Sequence, residues 1–190
     1  MPCESSHFLH TNHIRICLAV SKPWKRLLES SYKLWTTFDT TFTKRNINKS
    51  SLRAYLKRSN YTVNKAIISM AAKLDASRLQ YLTRSCEKLR HLEFSGHSTI
   101  GESLVSAVPF AKSLEVIRTS PGCRITESSI ESVLKHVSKT VVDASFLGIL
   151  HAGSSVTWTW PKLESLKILR LRLHQSASYR SNFNIVSFDF

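Results

Sequence analysis

Five copies of one apolar spacing constrain this chain more than any other feature. Val63-x-x-Ala66-x-Ile68 is followed by Leu89-x-x-Leu92-x-Phe94, Leu114-x-x-Ile117-x-Thr119, Val141-x-x-Ala144-x-Phe146 and Leu163-x-x-Leu166-x-Ile168. Successive starts lie 26, 25, 27 and 22 residues apart. That period is the length of one supersecondary unit, and units repeating at it bury their apolar faces against their neighbours, as in a solenoid. A short solenoid offers a curved face and no enclosed cleft. The pattern therefore points to recognition of a partner and away from chemistry.

Between the repeats the apolar residues change from alternation to helical spacing. Ser50 and Ser51 are placed to cap a helix that turns Leu52, Tyr55 and Leu56 inward, ahead of the extended 62–69. Ser77 is placed to cap a helix carrying Leu79, Leu82 and Cys86. Ser98 and Thr99 precede Leu104, Val105 and Val108, and Thr126 precedes Ile130, Val133, Leu134 and Val137. Strands that alternate with short helices predict an α/β fold: a right-handed solenoid with a parallel sheet and helices on its outer side. The array is expected over 50–173. Within it, 147–161 departs from the plan, with Gly148, Gly153, Trp158, Trp160 and Pro161 and no amphipathic helix. Strand-like 163–173 closes the array, and 174–190 reads as an irregular tail.

The front of the chain has another character. Residues 1–13 are polar and read as a disordered terminus; Cys3, His7, His10 and His13 lack a second half-site for zinc. Over 14–40 a small helical module is expected. Ile14, Cys17 and Leu18 fall at helical spacing, and Ser21 caps a second helix that tolerates Pro23 in its first turn. Trp24, Leu27 and Leu28 form a stripe on that helix, and a polar break leads to Leu34-Trp35.

Composition excludes several function classes. The 190 residues carry 42% hydrophobic side chains, enough for a continuous core, with only 5 glycines and 5 prolines. The net charge of +14 is spread over single or paired Lys and Arg, so a solvated surface or an acidic protein partner fits better than nucleic acid. The 4 cysteines form no C-x-x-C pair and read as free thiols of a reducing compartment. The apolar run 16–20 is too short for a secretory or membrane segment, so the expected location is cytoplasmic or nuclear. The sequons at Asn48 and Asn60 are then coincidental.

No catalytic pattern emerges. There is no G-x-S-x-G elbow, no phosphate-cradling glycine loop and no paired carboxylates, so an enzyme is not expected, nor a cofactor, a metal or a small-molecule substrate. The residues between the apolar positions of each repeat line the exposed side of the sheet. They are Lys65, Ile67, His91, Glu93, Val116, Arg118, Asp143, Ser145, Ser165 and Lys167. Their mix of charges with apolar groups suits a protein ligand better than a phosphate backbone.

The stretch Ile16-Cys17-Leu18-Ala19-Val20-Ser21-Lys22-Pro23-Trp24-Lys25-Arg26-Leu27-Leu28, with Leu34-Trp35-x-x-Phe38 behind it, resembles the second half of an F-box. Followed by leucine-rich repeats, the chain is similar to F-box/leucine-rich-repeat proteins of the fungal type over about residues 14–173. The resemblance implies a substrate receptor of an SCF-type cullin–RING ubiquitin ligase. The F-box side would dock on the Skp-type adaptor through Ile14, Cys17, Leu18, Val20, Trp24 and Leu27, and the repeats would hold the target protein. Catalysis would belong to other subunits. The leucine–proline step and first helix that open an F-box have no counterpart in 1–13. The alternative is a repeat scaffold or truncated fragment that binds a partner without engaging the ligase.

Overall fold

The computed structural model describes residues 19–41, 46–96, 98–150, 161–173 and 186–189. Four of its helices begin where short polar side chains satisfy the free amides of a first turn. Ser21 accepts from Trp24 N at 3.3 Å and opens α1 (Lys22–Ser30). Asn48, not Ser50 or Ser51, caps α2 (Lys49–Arg58), accepting from Ser51 N at 2.8 Å. Asp75, not Ser77, does the same for α3 (Ala76–Ser85), accepting from Arg78 N at 2.9 Å. In both helices the expected serine instead donates its hydroxyl to the capping side chain. α4 (Gly101–Ala107) starts after Ile100 without a side-chain cap. α5 (Glu127–Val137) is capped by Thr126, as its sequence predicts.

Each helix leads into a strand. The strands are β1 (Thr37–Asp39), β2 (Lys65–Ser69), β3 (His91–Ser95), β4 (Ser98–Thr99), β5 (Val116–Thr119), β6 (Cys123–Thr126), β7 (Asp143–Leu150), β8 (Ile168–Leu173) and β9 (Val186–Asp189). The main ladder runs β1-β2-β3-β5-β7-β8, every pair parallel, and β9 joins β8 antiparallel. A second parallel ladder, β4-β6, meets the far half of β7. The fold is thus α/β, built on a largely parallel sheet. Among the described residues no helix is long and apolar enough to cross a membrane.

One backbone device repeats along the main ladder. The carbonyl just before each strand accepts two consecutive amides of the next unit. Thr36 O takes Asn64 N and Lys65 N at 2.9 and 3.3 Å, and Asn64 O takes Arg90 N and His91 N at 2.8 and 3.0 Å. Arg90 O takes Glu115 N and Val116 N, and Glu115 O takes Val142 N and Asp143 N. Val142 O takes Lys167 N and Ile168 N at 2.9 and 3.1 Å. This fork fixes register from unit to unit, and it satisfies amides that a loop would otherwise leave without partners.

Register puts Phe38, Ala66, Leu92, Ile117, Ala144 and Leu169 in one continuous buried row. Against it pack Leu52 and Leu56 of α2, Leu79 and Leu82 of α3, Leu104 of α4, and Ile130, Val133 and Leu134 of α5, all in the same core. Two features of this row depart from expectation. First, it extends into the segment that resembles the F-box ending: Trp35-x-x-Phe38-x-Thr40 occupies the repeat positions, all three residues buried, with β1 paired to β2. Second, the fifth copy is framed three residues later, as Leu166-x-x-Leu169-x-Leu171. Leu163 is only partly buried beside the core, and the strand begins at Ile168. The spacing from Val141 becomes 25 residues, which restores the period.

The second ladder is tight. An added Cβ at Gly148 on β7 would lie 1.6 Å from the carbonyl oxygen of Cys123, so only glycine fits there. The chain leaves β3 at Gly96 with φ 104, a backbone region that glycine enters without steric cost.

Candidate functional site

Alternation along the strands turns two further rows away from the core. One reads Thr37, Lys65, His91, Val116, Asp143, Ile168, and the other Asp39, Ile67, Glu93, Arg118, Ser145, Arg170. Eight of the ten residues expected on this face are therefore brought together: Lys65, Ile67, His91, Glu93, Val116, Arg118, Asp143 and Ser145. Ser165 and Lys167 are not. They precede β8, where Ser165 Oγ donates to Lys139 O at 2.8 Å and Lys167 is exposed. Ile168 and Arg170 take their places. Equal spacing of the repeats was the signal that finds them, because a unit starting at Leu166 keeps the period. Thr37 and Asp39 were also missed, because no aliphatic repeat announces β1.

The charged groups on this face are arranged in pairs. His91 Nε2 lies 3.2 Å from Glu93 Oε2. Partial burial holds the His91 imidazole below its usual pKa, against the opposing pull of Glu93, and the cations Lys65 and Arg118 lower it further. Asp143 sits between two guanidinium groups from the flanking strands. Arg118 reaches its Oδ2 and Arg170 its Oδ1, the latter at 3.3 Å. The Asp143 side chain is 8% exposed, against 44% and 40% for the two arginines, so the carboxylate forms the floor and the guanidinium groups the rim.

A second surface lies on α1. Leu28 is buried, and its carbonyl accepts the Trp35 indole N–H at 2.9 Å, which ties the helix to the first unit. Arg58 stacks over Trp35 and pairs with Glu29 at 3.0 Å, holding α2 to the same corner. Val20, Trp24 and Leu27 face solvent, 69%, 53% and 63% exposed. Trp24 and Leu27, three residues apart, share one stripe of α1, while Val20 lies just ahead of the extended cap Ser21. Ile14, Cys17 and Leu18, expected on the same docking side, lie outside the described residues.

Other chemistry is sparse. Among the described residues no group of three or more His, Cys, Asp or Glu could hold a metal. The Cys3, His7, His10 and His13 set lies outside them. Cys86 and Cys123 are buried free thiols, and burial pushes the Cys86 thiol up to about 12, which removes it as a nucleophile near neutral pH. Compared with protein-family models and with curated protein sequences, the chain matches none.

Proposed function

We propose that this chain is a leucine-rich-repeat recognition module, coiled as a right-handed solenoid, that serves as the target receptor of an SCF-type cullin–RING ubiquitin ligase. The observation that carries the ligase side is the exposed apolar pair Trp24 and Leu27 on α1, with Val20 exposed just ahead of its cap, while the core beneath is already closed by Leu28 and Trp35. Large apolar groups clustered in water mark a docking surface, and tryptophan is the strongest single anchor of such contacts. In this reading Ile14, Cys17 and Leu18 also contact the Skp-type adaptor. The outer rows of the sheet hold the protein to be modified, and other subunits perform the transfer. No cofactor, small-molecule substrate or membrane is involved, and the module works in the cytoplasm or nucleus.

The test is titration of a purified Skp-type adaptor. Wild type is expected to bind with a Kd of about 1 μM or tighter, and the Trp24→Ala, Leu27→Ala double variant to lose at least about tenfold. No binding at micromolar adaptor would leave a second reading, a repeat scaffold outside the ligase. That reading is favoured by Trp35 and Phe38, since the block resembling the F-box ending serves as the first unit of the array. A nucleic-acid role predicts duplex DNA affinity that falls steeply with salt; a flat response removes it.

A further inference from the structure

Resting on the reading of the outer sheet face as the ligand face, we propose that Arg118, Ser145 and Arg170 form a subsite for one carboxylate side chain, an aspartate or glutamate, of a protein partner. Arg118 and Arg170 occupy the same outer row on either side of Ser145. Their strands are therefore two inter-strand spacings apart, roughly 10 Å. Both guanidinium groups are drawn toward one point on β7 by the two oxygens of Asp143. Each has five N–H donors and commits few of them to Asp143, so donors remain on the solvent side. Ser145 is buried and supplies the floor between them.

Charge selects the ligand class. In the paired rows of β5, β7 and β8 the charged side chains are Asp143 against Arg118 and Arg170, two cations to one anion, and Glu93 on β3 is engaged by His91. The excess is a single positive charge, which one carboxylate neutralises. A phosphate group, at about −1.5 to −2, overshoots it. Arginine also matches the planar fork of a carboxylate in bidentate contact. Val116 and Ile168 flank Asp143 in the neighbouring row, so an apolar residue beside the acid completes the fit.

Asp143 is a positioning residue in this scheme, holding the arginines and setting the residual charge. Screening the full chain against a random peptide display library should enrich sequences that carry Asp or Glu beside an aliphatic residue. In a synthesised peptide, replacing that acid by alanine should weaken binding about tenfold, as should Arg118→Ala or Arg170→Ala in the protein. Both arginines are well exposed, and circular dichroism checks that the variants fold. Asp143→Asn raises the residual charge and should shift preference toward the phosphoserine version of the peptide; a purely structural aspartate would leave that preference unchanged.

Enriched peptides without an acid, whose binding is lost on Val116→Asp, would overturn the carboxylate subsite and leave the ligand face standing. Binding indifferent to Val116→Asp and to both arginines would overturn the face itself. A wild-type preference for the phosphoserine peptide, or equal binding of duplex DNA with steep salt dependence, would also overturn the subsite. Failure to enrich any peptide counts against both.

Discussion

The two faces of the same strands behave differently. On the inner side, Ala66, Leu92, Ile117 and Ala144 follow one another in register, all fully buried and all aliphatic. One residue along each strand, Lys65, His91, Val116 and Asp143 follow in the same register with no two alike in chemistry. Inner positions admit one chemistry because helices pack against them and an unpaired polar group there would cost several kcal/mol, roughly 2–7. Outer positions are bound only by alternation and by their neighbours across the ladder. Stacking therefore constrains one face and leaves the other free to carry specificity.

Substitutions on the two faces should separate this difference. Leu92→Ala on the inner row should destabilise the protein by about 2–5 kcal/mol in urea unfolding, since the cavity is enclosed by strands on both sides. Val116→Ala on the outer row should cost under about 1 kcal/mol; equal losses at the two sites would erase the distinction. Gly148→Ala should cost about 1–3 kcal/mol, because its new methyl meets the Cys123 carbonyl and one backbone must move. Loss of amide protection confined to Cys123–Thr126 and the far half of β7 would localise that effect to the second ladder. Thr126→Ala removes a cap distant from either row and should cost about 1 kcal/mol.

The smallest effect is a pH slope from His91. Its folded pKa lies below the unfolded value of about 6.5, so between the two the unfolded chain binds more protons. Stability in that window rises with pH. Its contribution is complete above about 6.5 and declines as pH falls toward the folded pKa. His91→Gln should flatten this part of the profile in thermal melts at graded pH. An unchanged slope would mean that the outer face does not bury the imidazole.

Most positions on both faces were legible in the sequence, and the contacts across the outer face were not. Val63 to Phe146 could be placed because aliphatic residues recur at fixed spacing and each position has one use. The fifth copy was ambiguous, since Leu163, Leu166, Ile168, Leu169, Leu171 and Leu173 offer aliphatic residues in two frames. The fork of Lys167 N and Ile168 N on Val142 O decides between them, and that is a contact across 25 residues or more. Trp35-Phe38-Thr40 does not look like an aliphatic repeat. At the end of a stack bulky rings are useful, and the Tyr55 ring meets both Trp35 and Phe38 edge-on, at 5.5 and 5.0 Å between centroids. The caps Asn48 and Asp75 were obscured by adjacent serines of equal capping propensity, a choice made by where the chain turns. On the outer face, positions could be listed, but the pairing of Asp143 with Arg118 and Arg170 depends on which strands become neighbours.

The frame of β8 links fold to function, because it decides which cation stands across Ser145. Backbone proton contacts between β7 and β8, read as nuclear Overhauser effects in isotope-labelled protein, test it most directly. The described register requires cross-peaks that pair Ser145 with Arg170 and Ala144 with Leu169. Cross-peaks that pair Ser145 with Lys167 and Ala144 with Leu166 would contradict it, dissolving both the even stacking and the arginine pair on the outer face.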